Sequence, residues 1–221
     1  MRSLTSMFLV FLTLVGISAF GLRPLHGQAA YTRLQLLTLK EVQAELKLSE
    51  DQKSFAAEVM AKLKPEVAEL RKTQEPVFGP SEKNQEIAKA IRKLNAAAEA
   101  KVSEKLDDAQ RKRFLDLFVQ VNRRFALSDA EVQKTLGISE DVAKQLEEVK
   151  SANAKEAVAE LQELSRVGAD ITVRQAKLTD LAKTGDEKIL ALLTPDQRAA
   201  WEKLGGTPIE IDFSPLRPQR R

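Results

Sequence analysis

The 221-residue chain contains no cysteine, and its single histidine, His26, sits close to the N-terminus. The lack of cysteine excludes disulfides, a thiol nucleophile and the lipid-bearing cysteine of an exported lipoprotein. With no histidine in the body of the chain, the commonest transition-metal ligands are missing and no His-dependent triad can be assembled. Nor is there a Gly-rich phosphate loop, a G-x-S-x-G elbow or a D-x-D-x-D-G calcium loop. The sequence therefore assigns no catalytic residue, no cofactor and no metal site, and an enzyme is the least supported of its functions.

Aromatic residues are scarce at 5%, and no β-rich region is present. Long apolar runs are missing too, except at the start, where residues 3–22 are uncharged with an apolar heart at 7–20. Arg2 precedes this run, and Gly27 and Ala29 occupy the −3 and −1 positions of a cleavage before Ala30. These features predict a signal peptide over residues 1–29 and a periplasmic or secreted protein. The rival is an uncleaved anchor, because a run of this length reaches across a bilayer; only then is a membrane expected as a partner. Removing residues 1–29 takes away Arg2 and Arg23 and no acid, so the formal charge falls from +3 to +1. A balanced surface argues against nucleic acid as a partner, although Arg111-Lys112-Arg113, Arg123-Arg124 and Arg220-Arg221 form basic clusters.

What the chain does have is a repeated instruction to begin a helix. Leu37-Thr38-Leu39-Lys40-Glu41-Val42-Gln43 returns ninety residues later as Leu127-Ser128-Asp129-Ala130-Glu131-Val132-Gln133, and eight of fifteen aligned positions are identical over 37–51 and 127–141. Thr38 and Ser128 are predicted as N-caps, Glu41 and Glu131 as their box partners, and Leu37/Val42 and Leu127/Val132 as staples. A second start follows at once, Leu48-Ser49-Glu50-Asp51-Gln52 in one copy and Ile138-Ser139-Glu140-Asp141-Val142 in the other, where the glutamine is lost. At an offset of eighty-seven, Leu106-Asp107-Asp108-Ala109-Gln110 aligns with Leu193-Thr194-Pro195-Asp196-Gln197, and Phe114 with Trp201. Pro195 suits the first helical position, and the alignment predicts Trp201 buried like Phe114.

Between the starts, apolar residues keep helical spacing. Phe55, Val59, Leu63, Val67 and Leu70 form one stripe, with Pro65 as a kink, and Ile87, Ile91, Leu94, Ala98 and Val102 form the next. Pro76-Val77-Phe78-Gly79-Pro80 separates them, which predicts an antiparallel hairpin with arms of about 25 residues, roughly 37 Å. The second copy repeats the layout from Val142 through Leu161, Leu164 and Val167, breaks near Gly168, and resumes through Ile171, Leu178 and Leu181 to an end marked by Gly185 and Asp186. Gly205-Gly206-Thr207-Pro208 stops the last helix, and Ile209-Glu210-Ile211-Asp212-Phe213 alternates like a short strand. The expected fold is all-α: duplicated long helical hairpins with short capping helices and an extended C-terminal tail. Its expected parts are a signal peptide (1–29), a first repeat unit (30–126), a second repeat unit (127–208) and an extended or disordered tail (209–221).

Leu193-Thr194-Pro195-Asp196-Gln197 reproduces the LTxxQ signature, and in this the chain resembles the Spy/CpxP-like family of small periplasmic stress proteins. Leu48-Ser49-Glu50-Asp51-Gln52 and Leu106-Asp107-Asp108-Ala109-Gln110 are relaxed copies. The resemblance implies an exported, all-helical protein with long hairpins that often dimerise, members of which hold unfolded clients without ATP or bind a stress sensor. Its zinc-binding branch relies on His or Cys, which this chain lacks after His26. The first functional expectation is thus an ATP-independent chaperone or stress adaptor whose partners are unfolded or envelope proteins. The alternative is a structural scaffold of the envelope with no client-holding activity, and a homodimer is compatible with either.

Overall fold

A helix leaves its first N–H groups and last carbonyls without internal partners. How those ends are satisfied decides the layout seen in the computed structural model, which describes residues 31–75 and 81–216. The predicted signal peptide, the Pro76-Val77-Phe78-Gly79-Pro80 connection and Arg220-Arg221 lie outside the described residues. In chain order the helices are α1 (Arg33–Leu36), α2 (Lys40–Glu45), α3 (Glu50–Lys72), α4 (Glu82–Ser103), α5 (Asp108–Asn122), α6 (Ala130–Thr135), α7 (Glu140–Arg166), α8 (Ile171–Ala191) and α9 (Pro195–Lys203). A 3₁₀ turn at Arg123–Ser128 links α5 to α6, and no strand occurs among the described residues. The chain is all-α.

The two sequence-matched segments adopt the same backbone ending. Leu48 N–H bonds to Gln43 O at 3.1 Å and Lys47 N–H to Ala44 O at 3.0 Å; Ile138 N–H bonds to Gln133 O at 2.9 Å and Gly137 N–H to Lys134 O at 3.2 Å. Both are Schellman endings, which require a left-handed residue at the turn. Lys47 (φ 51°) and Gly137 (φ 62°) supply it at aligned positions. Gln43 and Gln133 also match, each bonding from Nε2 back to the carbonyl of Leu37 (2.7 Å) or Leu127 (2.9 Å).

The starts of these short helices correct the sequence expectation by one residue. Thr38 does not cap α2: its hydroxyl donates backwards to Gln35 O at 2.7 Å, and the N-cap is Leu39, whose aliphatic side chain has no acceptor to offer and is buried in the core. Ser128 does not cap α6 either. Asp129 does, accepting from Glu131 and Val132 N–H, while Ser128 ends the 3₁₀ turn with its hydroxyl held by Glu147 and Lys150. Glu41 and Glu131 therefore close no box; Glu41 lies beside Lys40, and Glu131 pairs with Arg33.

The long helices pack in pairs, α3 with α4 and α7 with α8. Both pairs run antiparallel. Gln52 and Phe55 at the start of α3 meet Lys105 just past the end of α4, and Glu75 N–H just past α3 meets Asn84 at the start of α4. In the second pair, Asn153 lies against Gly185 and Glu160 beside Lys177. Gly185 and Asp186 do not end the arm, since α8 runs through both to Ala191. A Cβ on Gly185 would sit 2.8 Å from Asn153 Nδ2, so the glycine marks close approach of two helices.

One continuous core joins Leu34, Leu36, Leu39 and Val42 to Leu127 and Val132, the roots of both hairpins (Ala98, Leu146, Ile189) and most of α5. Phe114 is buried there; Trp201, at the aligned position of α9, is only half-buried, because α9 lies at the margin and buries no residue fully. The segment 209–213 is extended but packed: Ile211 is buried and Phe213 stacks on Tyr31.

Nothing lies within 4 Å of a Cβ built on Gly137, so Gly137→Ala tests backbone strain alone. It should destabilise the protein by about 1 kcal/mol, whereas Lys47→Gly should stabilise it by about 0.5–1 kcal/mol. Urea denaturation of the two variants measures both signs.

Candidate functional site

The LTxxQ-type residues sit where helices are joined. Leu48, Leu106 and Leu193 are buried, and Ser49/Gln52, Asp107/Gln110 and Thr194/Gln197 form complete capping boxes. Ser139 caps α7 without a box, since the third residue is Val142. In each box the glutamine Oε1 accepts its own cap N–H, and Nε2 remains free to donate elsewhere. Gln52 Nε2 donates to Lys105 O at 2.7 Å, Gln110 Nε2 to Leu46 O at 3.1 Å, and Gln197 Nε2 to Gly137 O at 2.9 Å. Gln52 and Gln110 also bond to each other, at 2.8 and 3.1 Å. Each motif thus starts one helix and ties it to a terminal carbonyl of another, a structural role that a glutamate could fill only in part.

Beside this latch, α1, α4, α5 and the 3₁₀ turn enclose a cleft of about 640 Å³. Phe114 and Phe118 line it from α5 and Ala96 and Ala100 from α4, and Arg92, Phe125 and Glu131 stand among its lining. Arg33 crosses it: Nη2 lies 2.8 Å from Asp129 Oδ1 and 3.0 Å from Glu131 Oε2, and the guanidinium covers the Phe118 ring at 4.6 Å. The Arg33 backbone N–H donates to Glu99 Oε1 at 3.0 Å. Burial raises the Glu99 carboxyl above its ordinary value, the Asp129 charge adds to this, and the Arg33 charge and backbone N–H groups only partly offset it. The network binds the N-terminal segment to α4 and to α6, across 96 residues of sequence.

Ser128 beside Lys150 is the nearest approach to a nucleophile–base pair here, but Glu147 holds the Lys150 ammonium at 3.0 Å, and an ammonium has no lone pair to accept a proton. Burial alone would raise Glu147, yet hydrogen bonds from Ser128 and Lys150 and the charges of Lys150 and Arg92 hold it below its ordinary value. Among the described residues, no three His, Cys, Asp or Glu are placed to hold a metal ion.

Three arginines of the basic clusters of α5 and the 3₁₀ turn are committed to the fold. Arg111 bonds to the carbonyls of Ser103 and Leu106 at the end of α4, and to Asp108. Arg113 pairs with Glu45 at 2.7 Å, and Arg124 with Asp186 at 2.9 Å while covering Phe125. Burial raises the Asp186 carboxyl, against the lowering effect of Arg124.

Exposed apolar side chains are gathered elsewhere. Val158, Val167, Ile171, Val173 and Leu178 all belong to the α7–α8 hairpin, and Ile171 (74%) and Val167 (61%) are the most exposed. The pairing of Asn153 with Gly185 and of Glu160 with Lys177 sets a register that puts Val158 level with Leu178, and Val167 level with Ile171. Sequence periodicity missed this exposure, because Val158, Val167, Ile171 and Leu178 all read as parts of packed stripes. No described helix is long and apolar enough to cross a membrane. Comparison of the chain with family models, curated proteins and solved structures gave no match.

Two outcomes test the site. Gln197→Glu keeps an acceptor for the box but removes the donor to Gly137 O, and should cost about 1 kcal/mol in a denaturant titration. For Glu99, a raised folded value means that the native state holds the proton more tightly, so wild-type stability should fall as pH rises from about 4.5 through that raised value. Glu99→Gln should be no less stable than wild type at pH 7 and should lose this slope; Glu99→Ala, which strands the Arg33 N–H, should cost about 1–3 kcal/mol. Denaturant titrations between pH 4 and 8 separate these outcomes.

Proposed function

We propose that the chain is an exported, non-enzymatic binding protein that holds exposed apolar segments of other polypeptides without nucleotide. The observation that carries this is that, of the six large apolar side chains exposed among the described residues, five (Val158, Val167, Ile171, Val173 and Leu178) belong to the α7–α8 hairpin, the sixth being Phe125 of the 3₁₀ turn. Charges lie among these side chains on the same hairpin, including the Arg166–Glu163 pair at 2.6 Å and Lys177 beside Glu160, and interspersed charge keeps exposed apolar groups soluble. Long lysine and arginine stems extend the contact area without burying the charged head. The N-terminal run of residues 1–29 supports export, and the LTxxQ-type starts support kinship in kind with periplasmic stress proteins.

An envelope scaffold is the second reading. It draws on the half-buried seam of the same hairpin, where Leu161, Leu164 and Leu181 would pack further against a partner.

Purified protein at a near-stoichiometric ratio should suppress aggregation of an unrelated unfolding client in the absence of ATP. Val167→Glu with Ile171→Glu should abolish most of that protection while changing stability by less than about 0.5 kcal/mol, since both sites are exposed. Absence of protection by the unaltered protein removes the client-holding role and leaves the scaffold.

A further inference from the structure

Beyond α9 the chain turns at Gly205-Gly206, with Gly206 in the left-handed region (φ 56°), and crosses α5 as an extended strap to a 3₁₀ turn at Ser214–Leu216. Side chains alternate along it: Ile211 is buried, Ile209 and Phe213 are half-buried against the core, and Glu210 and Asp212 are exposed. An alternating segment ordinarily takes its backbone partners from a neighbouring strand. Here α5 reads the backbone with side chains. Gln120 Nε2 donates to Ile209 O at 2.9 Å, Ile209 N–H donates to Gln120 Oε1 at 3.4 Å, and Arg113 Nη2 donates to Thr207 O at 2.7 Å. The backbone bonds at the two ends, Gly206 N–H to Lys203 O and Leu216 N–H to Phe213 O, are local.

We propose that the α5 surface beneath the strap is a groove for an extended segment of another polypeptide, with apolar residues at alternate positions and acidic residues between them, and that the strap is its internal occupant. Recognition there is of two kinds. An amide and a guanidinium address main-chain atoms, which any extended chain presents, and a buried socket addresses the central aliphatic residue, as it does Ile211. Acidic intervening residues suit the groove because Lys112 is exposed on α5 and Arg123 follows directly at its end, while Arg111 and Arg113 already answer Asp108 and Glu45. Release of the strap melts no helix, and its glycine hinge lets it swing away. Tethering gives the strap an effective concentration of the order of millimolar, so an incoming segment gains the groove only when the strap is loosened. The groove is separate from the α7–α8 flank and stands or falls independently of it.

The test uses the full chain and a fluorescent peptide copying residues 205–216. Ile211→Asp loosens the strap and leaves α5 unaltered. The peptide should bind this variant at least about tenfold more tightly than the unaltered chain, and adding Gln120→Ala should weaken it again. A peptide with Ser replacing its three apolar alternate residues should not bind. Equal affinity for both proteins, indifference to Gln120→Ala, or no binding to the variant overturns the proposal. If circular dichroism shows that Ile211→Asp does not fold, Phe213→Ser at the half-buried end of the strap gives the same comparison. A concentration-dependent dimer of the unaltered chain that exchanges straps assigns the groove to a second copy and also overturns the proposal.

Discussion

The structure depends on satisfying helix ends with a single kind of side chain. A primary amide carries both an acceptor and a donor, so a glutamine at the third position of a helix closes a capping box with its oxygen and still offers an N–H group to a neighbouring carbonyl. Gln52, Gln110 and Gln197 each do both, and the carbonyls they choose belong to the ends of other helices. A chain without disulfides and with few aromatics has limited means of fixing long helices to a small hub. Linking the start of one helix to the end of another secures the crossing point as well as the helix itself.

Around these junctions, polar groups of the hub hold extended segments by the same logic. Asn122, the only buried polar residue among the described ones, accepts Tyr31 N–H at 2.7 Å and donates to Tyr31 O at 3.1 Å. Two residues earlier on α5, Gln120 treats Ile209 in the same way. Amide side chains thus replace the strand partner that an all-α protein cannot supply, and they bring the N-terminal segment and the C-terminal strap together where Tyr31 meets Phe213.

Fold class and helix starts were legible because capping and apolar spacing are local. Ser49, Asp107, Ser139 and Thr194 open helices where their sequence says so. Thr38 and Ser128 deceived by one residue: each side chain found another bond, and their neighbours Leu39 and Asp129 were drawn to the cap position by burial and by stronger acceptors. Gly185 read as a breaker because sequence does not separate a glycine needed for its torsions from one needed for space. The alternation of 209–213 was visible, but its partner was not, since a helix side chain leaves no strand signature. The Arg33 network was also invisible, since its ion pairs join residues almost a hundred positions apart and leave no local pattern.

The two hairpins share one plan but are not held equally. At the root of the first, Gln52 and Gln110 bond to each other and to two carbonyls; at the root of the second, Val142 stands where Gln52 stands in the first, and only the Gln197 bond to Gly137 O remains of that set. Of the six large apolar side chains exposed among the described residues, all but Phe125 lie on the second hairpin, the arm with fewer of these glutamine bonds. The missing glutamine and most of the exposed apolar side chains therefore fall on the same arm, whose root is held instead by Arg124 on Asp186 and by Ser128 between Glu147 and Lys150.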